Sequence, residues 1–118
     1  MSTESVVILA GARTPMGGLL GALSTVPAPD LAAAAIAATL QRSGVEADAI
    51  DEVFMGCVLP AGLKQCPARQ AAIGAGIPTS AGAVTVNKAC GSSMPATIVV
   101  FTRIVAGTNT AVIAGGME

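Results

Sequence analysis

The chain contains no histidine, tryptophan or tyrosine, and its aromatic content is two phenylalanines. Without histidine it lacks the commonest metal ligand and the commonest general base. Its three cysteines, Cys57, Cys66 and Cys90, show no short metal-ligand spacing, so a zinc site lacks its donors and no metal is expected. Charge is also scarce: 11% of residues are charged and the net charge is −1, with no basic cluster. Phosphate neutralisation and base stacking therefore have no carriers, and nucleic-acid binding is not expected. Long apolar runs are missing too. The alanine-rich stretch from Leu31 to Leu40 is half of what a bilayer span needs, and Arg103 interrupts the apolar segment around Phe101, so no membrane insertion is expected. The start, Met1-Ser2-Thr3-Glu4-Ser5, has neither the positive charge of a secretory signal nor the arginines of a transit peptide. This reads as a cytoplasmic protein, in which an odd number of cysteines stays as free thiols.

What is present is apolar: 53% hydrophobic residues in 118, high for a free-standing domain of this size. Such a balance suits a segment whose faces other protein covers. Strand and helix signals alternate. Ser5 to Ala10 is a nearly continuous apolar run, the pattern of a fully buried strand. Asp30 is placed to cap a helix from Leu31 to Arg42 that stops at Gly44. Asp51 to Gly56 reads as a strand, and Pro67 opens a second helix closed by Gly76 and Pro78. Val84 to Asn87 is a third strand, Cys90 begins a helical stretch to about Ala106 with Gly107 beyond it, and Thr110 to Ala114 is a fourth strand. The alternation implies α/β architecture with a mostly parallel sheet and crossover helices on its faces.

Cysteine is the one strong nucleophile available. Cys90 stands between a strand and a helix, where unsatisfied amides and the helix dipole favour a thiolate. The small residues Gly91, Ser92 and Ser93 let a carbonyl approach the sulfur and let amides face a developing oxyanion. From the local sequence alone, a buried core cysteine at a tight turn is the reading favoured over a nucleophile. Cys66 also precedes a helix, but Pro67 removes a donor and crowds the approach; Cys57 follows a buried strand and reads as a small core residue. Lys88 is two residues from Cys90 and reads as solvated or ion-paired, and Arg13 as a pin for its loop. The glycines from Gly11 to Gly18 match neither a dinucleotide fingerprint nor a phosphate loop.

The run Val86-Asn87-Lys88-Ala89-Cys90-Gly91-Ser92-Ser93 resembles the acyl-enzyme signature of the thiolase family. Four further thiolase-like runs follow the same order: Ala12 to Pro15, Met55 to Leu59, Pro67 to Ala72 and Ala114 to Glu118. Together they span nearly the whole chain and are most similar to the acetyl-CoA acetyltransferase branch; the Asn-Lys-Ala-Cys-Gly-Ser run is unlike a β-ketoacyl synthase. The resemblance implies a layered α-β-α-β-α fold, of which residues 1–118 form an incomplete N-terminal domain with the C-terminal domain absent. It implies Cys90 as the catalytic nucleophile, which takes an acyl group from coenzyme A as a thioester. Claisen condensation of two acetyl-CoA, or thiolysis of a 3-ketoacyl-CoA, then follows. Coenzyme A thioesters are substrates, with no separate cofactor. A homo-oligomer, dimer or tetramer, is implied, with the strand before Cys90 near the dimer contact. The family's histidines and second cysteine are missing, so the isolated chain is expected to be inactive. A non-catalytic thiolase-like module binding acyl chains or a partner subunit is the alternative, and a thiol-based binding or redox element a third reading.

Four positions depart from the family pattern. Ser93 replaces a common glycine, Cys66 a common asparagine, and Arg103 sits on a helix expected to be covered. Pro95 stands where lysine or glutamine is typical. Were Cys90 the helix cap, Pro95 would strain the first turn; were the helix to begin near Pro95, Cys90 would lose part of its dipole stabilisation.

Overall fold

A computed structural model describes residues 5–118; Met1–Glu4, on which the targeting-signal reading rests, lie outside the described residues. Three strands of five residues each form a parallel sheet, with the first of them in chain order at its centre. The central strand β1 (Glu52–Gly56) pairs with β2 (Gly82–Val86) and β3 (Val112–Gly116) in register, Phe54 facing Val84 on one side and Ala114 on the other. Parallel neighbours need crossovers, and helices supply them. The helix α2 (Pro67–Gly74) joins β1 to β2, and α3 (Ser93–Val105) carries the chain from β2 across to β3.

The two-residue period of β1 divides the core. Val53 and Met55 join Cys57 in packing against Ala68, Ala71 and Ala72 of α2, with α1 (Ala28–Ser43) lying on α2 through Ala28, Ala32 and Ile36. Phe54 points the other way, onto Ala96 and Val100 of α3. Alanines at the helix–helix contacts let the backbones approach closely, as the composition of α1 suggests. The α/β class and the parallel sheet thus agree with the sequence reading.

Several element boundaries differ from it, each for an identifiable reason. Residues 5–10 form no strand. Val7, Ile8 and Leu9 are 64%, 90% and 64% exposed, because no ladder among the described residues reaches them; an apolar run becomes a buried strand only where partners and covering layers exist. A bond from the Arg42 guanidinium to the Gly11 carbonyl, 2.9 Å, tethers the end of this segment.

The N-cap of α1 is Pro27, not Asp30. Pro29, with its fixed φ and no N–H, fits a first turn, so the helix starts earlier and Asp30 becomes a first-turn acid favourable to the dipole. At its far end Gly44 adopts φ 73° and donates to the Leu40 carbonyl, as expected of a glycine terminator.

The last strand begins at Val112 because the amides of Thr110 and Ala111 are taken by the Asp51 carboxylate, at 2.7 and 3.2 Å. The start of α2 at Pro67 is as expected; its cap Cys66 lies in the left-handed region at φ 43° and offers no side-chain cap. Thr85 on β2 substitutes, its hydroxyl accepting from the Ala68 N–H at 3.1 Å. Arg103 is accommodated where α3 meets the sheet: it pairs with Glu52 at 3.3 Å and lies 5.5 Å from the Phe54 ring centroid. Asn109 donates to the same carboxylate, 2.6 Å.

Candidate functional site

The carboxyl ends of parallel strands are where α/β proteins place ligands, since loops there are free of the ladder while the strands hold them still. Here Val58 and Leu59 after β1, Ala89, Cys90, Ser92 and Ser93 after β2, and Met117 and Glu118 after β3 surround an open hollow of about 490 Å³. The thiol of Cys90 lies on its wall.

Cys90 is the exposed one of the three thiols. Cys57 is 1% exposed and packs as a core residue, which agrees with the sequence reading. Burial pushes its thiol pKa upward, the negative Glu118 adds to the rise, and a hydrogen bond with the Leu59 backbone partly offsets it. Cys66 is half-buried, its sulfur 3.7 Å from the Thr85 hydroxyl and 3.9 Å from the Ala83 carbonyl. It lies outside the hollow.

Local structure explains the presentation of Cys90. Val86 ends β2, and the chain then closes a series of tight turns: Gly91 N–H to the Lys88 carbonyl, Ser92 N–H to Ala89, and Met94 N–H to Gly91, each 3.1 Å. Turning this sharply puts Ala89 at φ 47°, the left-handed region, which costs a residue with a Cβ about 1 kcal/mol or more. Side chains hold it there. Ser92, 5% exposed, accepts from the Lys88 N–H at 2.9 Å and donates to the Ala89 carbonyl at 2.5 Å. The Asn87 amide accepts from the Ala89 N–H at 3.0 Å and donates to the Val58 carbonyl at 3.2 Å, joining the cysteine turn to the opposite wall. That wall is fixed from below by Glu118, whose two carboxylate oxygens accept from the amides of Val58 (3.0 Å) and Leu59 (2.8 Å).

The helix takes the later of the two starts that the sequence allows. Ser92 is the N-cap of α3, so Cys90 stands two positions before it and Pro95 is the third helical residue. An amide there has no partner within the helix, so Pro95 fits without breaking a bond; the first bond of the helix runs from Ala96 to the Ser92 carbonyl. The cost falls on the thiol. Pro95 contributes no donor and Met94 spends its own on Gly91, so fewer amides face the hollow than a helix cap at Cys90 would offer.

Two glycines allow α3 to settle onto the strand ends. A Cβ on Gly56 would lie 2.7 Å from the Ser92 carbonyl carbon and 2.8 Å from the Ser93 nitrogen; one on Gly116 would occupy the place of the Ser93 hydroxyl. Lys88 is exposed, and the one salt bridge among the described residues is Arg103–Glu52, so Lys88 reads as solvated. Arg13 bonds the carbonyl of its neighbour Thr14 at 3.2 Å and takes no part in the site. Among the described residues no cluster of potential metal ligands forms. No helix among them is long and apolar enough to cross a membrane.

Sequence reasoning singled out Cys90 but gave no separate role to Asn87, Ser92, Gly56 or Glu118. An asparagine and a serine flanking a turn are its usual side-chain supports, which is the signal that was there to use.

An exposed thiol on a strained strand-to-helix turn lies at the carboxyl end of a parallel sheet, where folds of this class place their ligands. The profile of the thiolase N-terminal domain matches residues 6–118, and the chain belongs to the thiolase family. It is 51% identical over its whole length to acetyl-CoA acetyltransferase 2 of Arabidopsis thaliana, covering 29% of that protein. It is also 49% identical, over 96% of this chain and 29% of the relative, to an acetyl-CoA acetyltransferase of Cupriavidus necator. Names among further relatives include a cytosolic enzyme of Gibberella zeae and a mitochondrial one of Xenopus laevis. The crystal structure of Acat5 thiolase from Ascaris suum in complex with coenzyme A superposes with a TM-score of 0.89 at 39% identity, covering 91% of this chain and 28% of that one. The chain thus spans less than a third of the length of these relatives.

Proposed function

We propose that this chain is the nucleophile-bearing part of an acetyl-CoA acetyltransferase, with Cys90 as the acyl-accepting residue. One observation carries the reading: of three thiols, the one within the family signature is the one that is exposed and lines the hollow. The Cys90 thiolate attacks the carbonyl carbon of an acyl-CoA, the bond from that carbon to the coenzyme A sulfur breaks, and coenzyme A leaves as the thiol after taking a proton. A second acetyl-CoA, deprotonated at its methyl carbon, displaces the Cys90 sulfur from the acyl group. The reverse sequence is thiolysis of a 3-ketoacyl-CoA.

Only the first of these steps belongs to residues of this chain. The chain has no histidine, the commonest general base, and alone it is expected to complete no cycle. Coenzyme A thioesters enter as substrates, without a separate cofactor, and the working protein is proposed to be a homo-oligomer. Three unpaired thiols suit a reducing compartment, and a cytoplasmic location is part of the proposal.

Incubation with acetyl-CoA followed by peptide mass spectrometry tests it. Acetyl on Cys90, absent from Cys57 and Cys66, is the expected result. Equal labelling of all three, or none on Cys90, overturns the assignment.

A further inference from the structure

The hydroxyl of Ser92 is used in an unusual direction. An N-cap serine ordinarily points forward to amides of its own helix. Here no such bond forms, and the hydroxyl reaches backward, accepting from Lys88 N–H and donating to the Ala89 carbonyl. It therefore closes both sides of Ala89, which is held left-handed immediately before the thiol. Being 5% exposed, it does so largely without competition from water. Asn87 supplies the remaining support from the exposed side through its bond to Ala89 N–H. Released from these bonds, Ala89 returns to an ordinary right-handed or extended conformation, and a change at that backbone position swings the Cys90 side chain away from the hollow.

We infer that Ser92 is the positioning residue for the Cys90 nucleophile, with Asn87 as its auxiliary: their bonds hold the strained turn that aims the thiol into the hollow. This rests on the acyl-transfer reading above and adds to it. The role is one of aim, so it is felt by a reaction with a demanding approach and little by one without. Attack on a thioester carbonyl needs the acyl group seated in the hollow and the sulfur aligned. Alkylation by iodoacetamide needs only an accessible sulfur.

The test compares wild type with Ser92→Ala, Asn87→Ala and the control Thr102→Ala, which removes a hydroxyl bonded to the Ile98 carbonyl on the exposed side of the same helix. Ser92→Ala is expected to slow acetylation of Cys90 by acetyl-CoA about tenfold, and Asn87→Ala about threefold, as loss of one buried or one exposed support predicts. Alkylation of Cys90 by iodoacetamide, measured against Cys66 in the same sample, is expected to stay within about twofold of wild type. Deuterium exchange over residues 86–93 is expected to accelerate in both variants and remain as in wild type for Thr102→Ala. Should Ser92→Ala prevent folding, Asn87→Ala carries the test alone, because its bonds are exposed and its removal leaves the core intact.

Acetylation at the wild-type rate in a folded variant overturns the inference, as does an equal fall in acetylation and alkylation. Unchanged exchange over the turn overturns it as well. A wild-type Cys90 that takes no acetyl group refutes the acyl-transfer reading, and the positioning role falls with it; acetylated wild type with an unaffected Ser92→Ala refutes the positioning role alone.

Discussion

Replacing Gly56 by alanine tests how closely α3 is seated on the sheet. The added Cβ would lie 2.7 Å from the Ser92 carbonyl carbon, 2.8 Å from the Ser92 Cβ and 2.8 Å from the Ser93 nitrogen. Two of the three atoms are backbone, and the third belongs to a buried side chain held by two hydrogen bonds, so no flexible end can turn aside. Either the last residue of β1 or the start of α3 has to move. Overpacking of this kind costs about 1–3 kcal/mol, and the lack of a yielding neighbour places Gly56→Ala at about 3. For a domain of this size that corresponds to a fall in Tm of roughly 10 °C. The assay is thermal unfolding followed by circular dichroism, with the urea midpoint measured in parallel and an unchanged m-value confirming that stability alone has shifted. Gly116→Ala provides the comparison: its principal obstacle is the Ser93 hydroxyl, the end of a rotatable side chain, and its loss is expected to be about half as large or less. A Gly56→Ala protein melting within about 2 °C of wild type would refute the close approach, and with it the explanation of how Ser92 is placed beneath the turn.

Other consequences can be measured separately. Because the Cys57 thiol pKa is raised in the folded protein, its contribution to stability is complete below the unfolded thiol pKa of about 8.5 and is lost as pH rises toward the folded value. Urea unfolding at pH 8 and pH 10 should therefore show a drop that Cys57→Ala lacks, once the variant's lower baseline is allowed for. Arg103→Ala removes an ion pair, partly screened by water, and the contact with the Phe54 ring; the expected loss is about 1 kcal/mol, of which Arg103→Met recovers the packing share. Glu118→Gln leaves one acceptor for the two amides of Val58 and Leu59, so deuterium exchange at those positions should accelerate while the core strands stay protected. Exchange as in wild type would show that the carboxylate does not hold the wall.

The class of fold was legible because it depends on patterns spread over many residues. β1 could be read from Val53, Phe54 and Met55, and the helix ends from Pro67, Gly44 and Gly107. What failed depended on partners distant in sequence. Val7, Ile8 and Leu9 have the composition of a buried strand, yet composition does not supply the ladder. Thr110 and Ala111 look like strand residues, but Asp51, some sixty positions earlier, takes their amides. At the site, Cys90 stood out through residue type and neighbours. The start of α3 at Ser93 was one of two that Pro95 left open, and the turns from Lys88 to Met94 that precede it are not displayed in the sequence. Glu118 was legible only as the end of a motif, since its carboxylate acts on amides 59 and 60 residues away.

The strand order β2-β1-β3 bears on how the protein is made. The middle of the sheet is synthesised first, and each flank is added later, the second only when residue 116 has emerged. Until then Val53, Phe54 and Met55 belong to a nascent segment with an open hydrogen-bonding edge, a template for the wrong neighbour. Pairing on both sides of β1 therefore waits until Gly116 is made, and between Gly56 and Gly116 an edge of β1 stays open to misassembly.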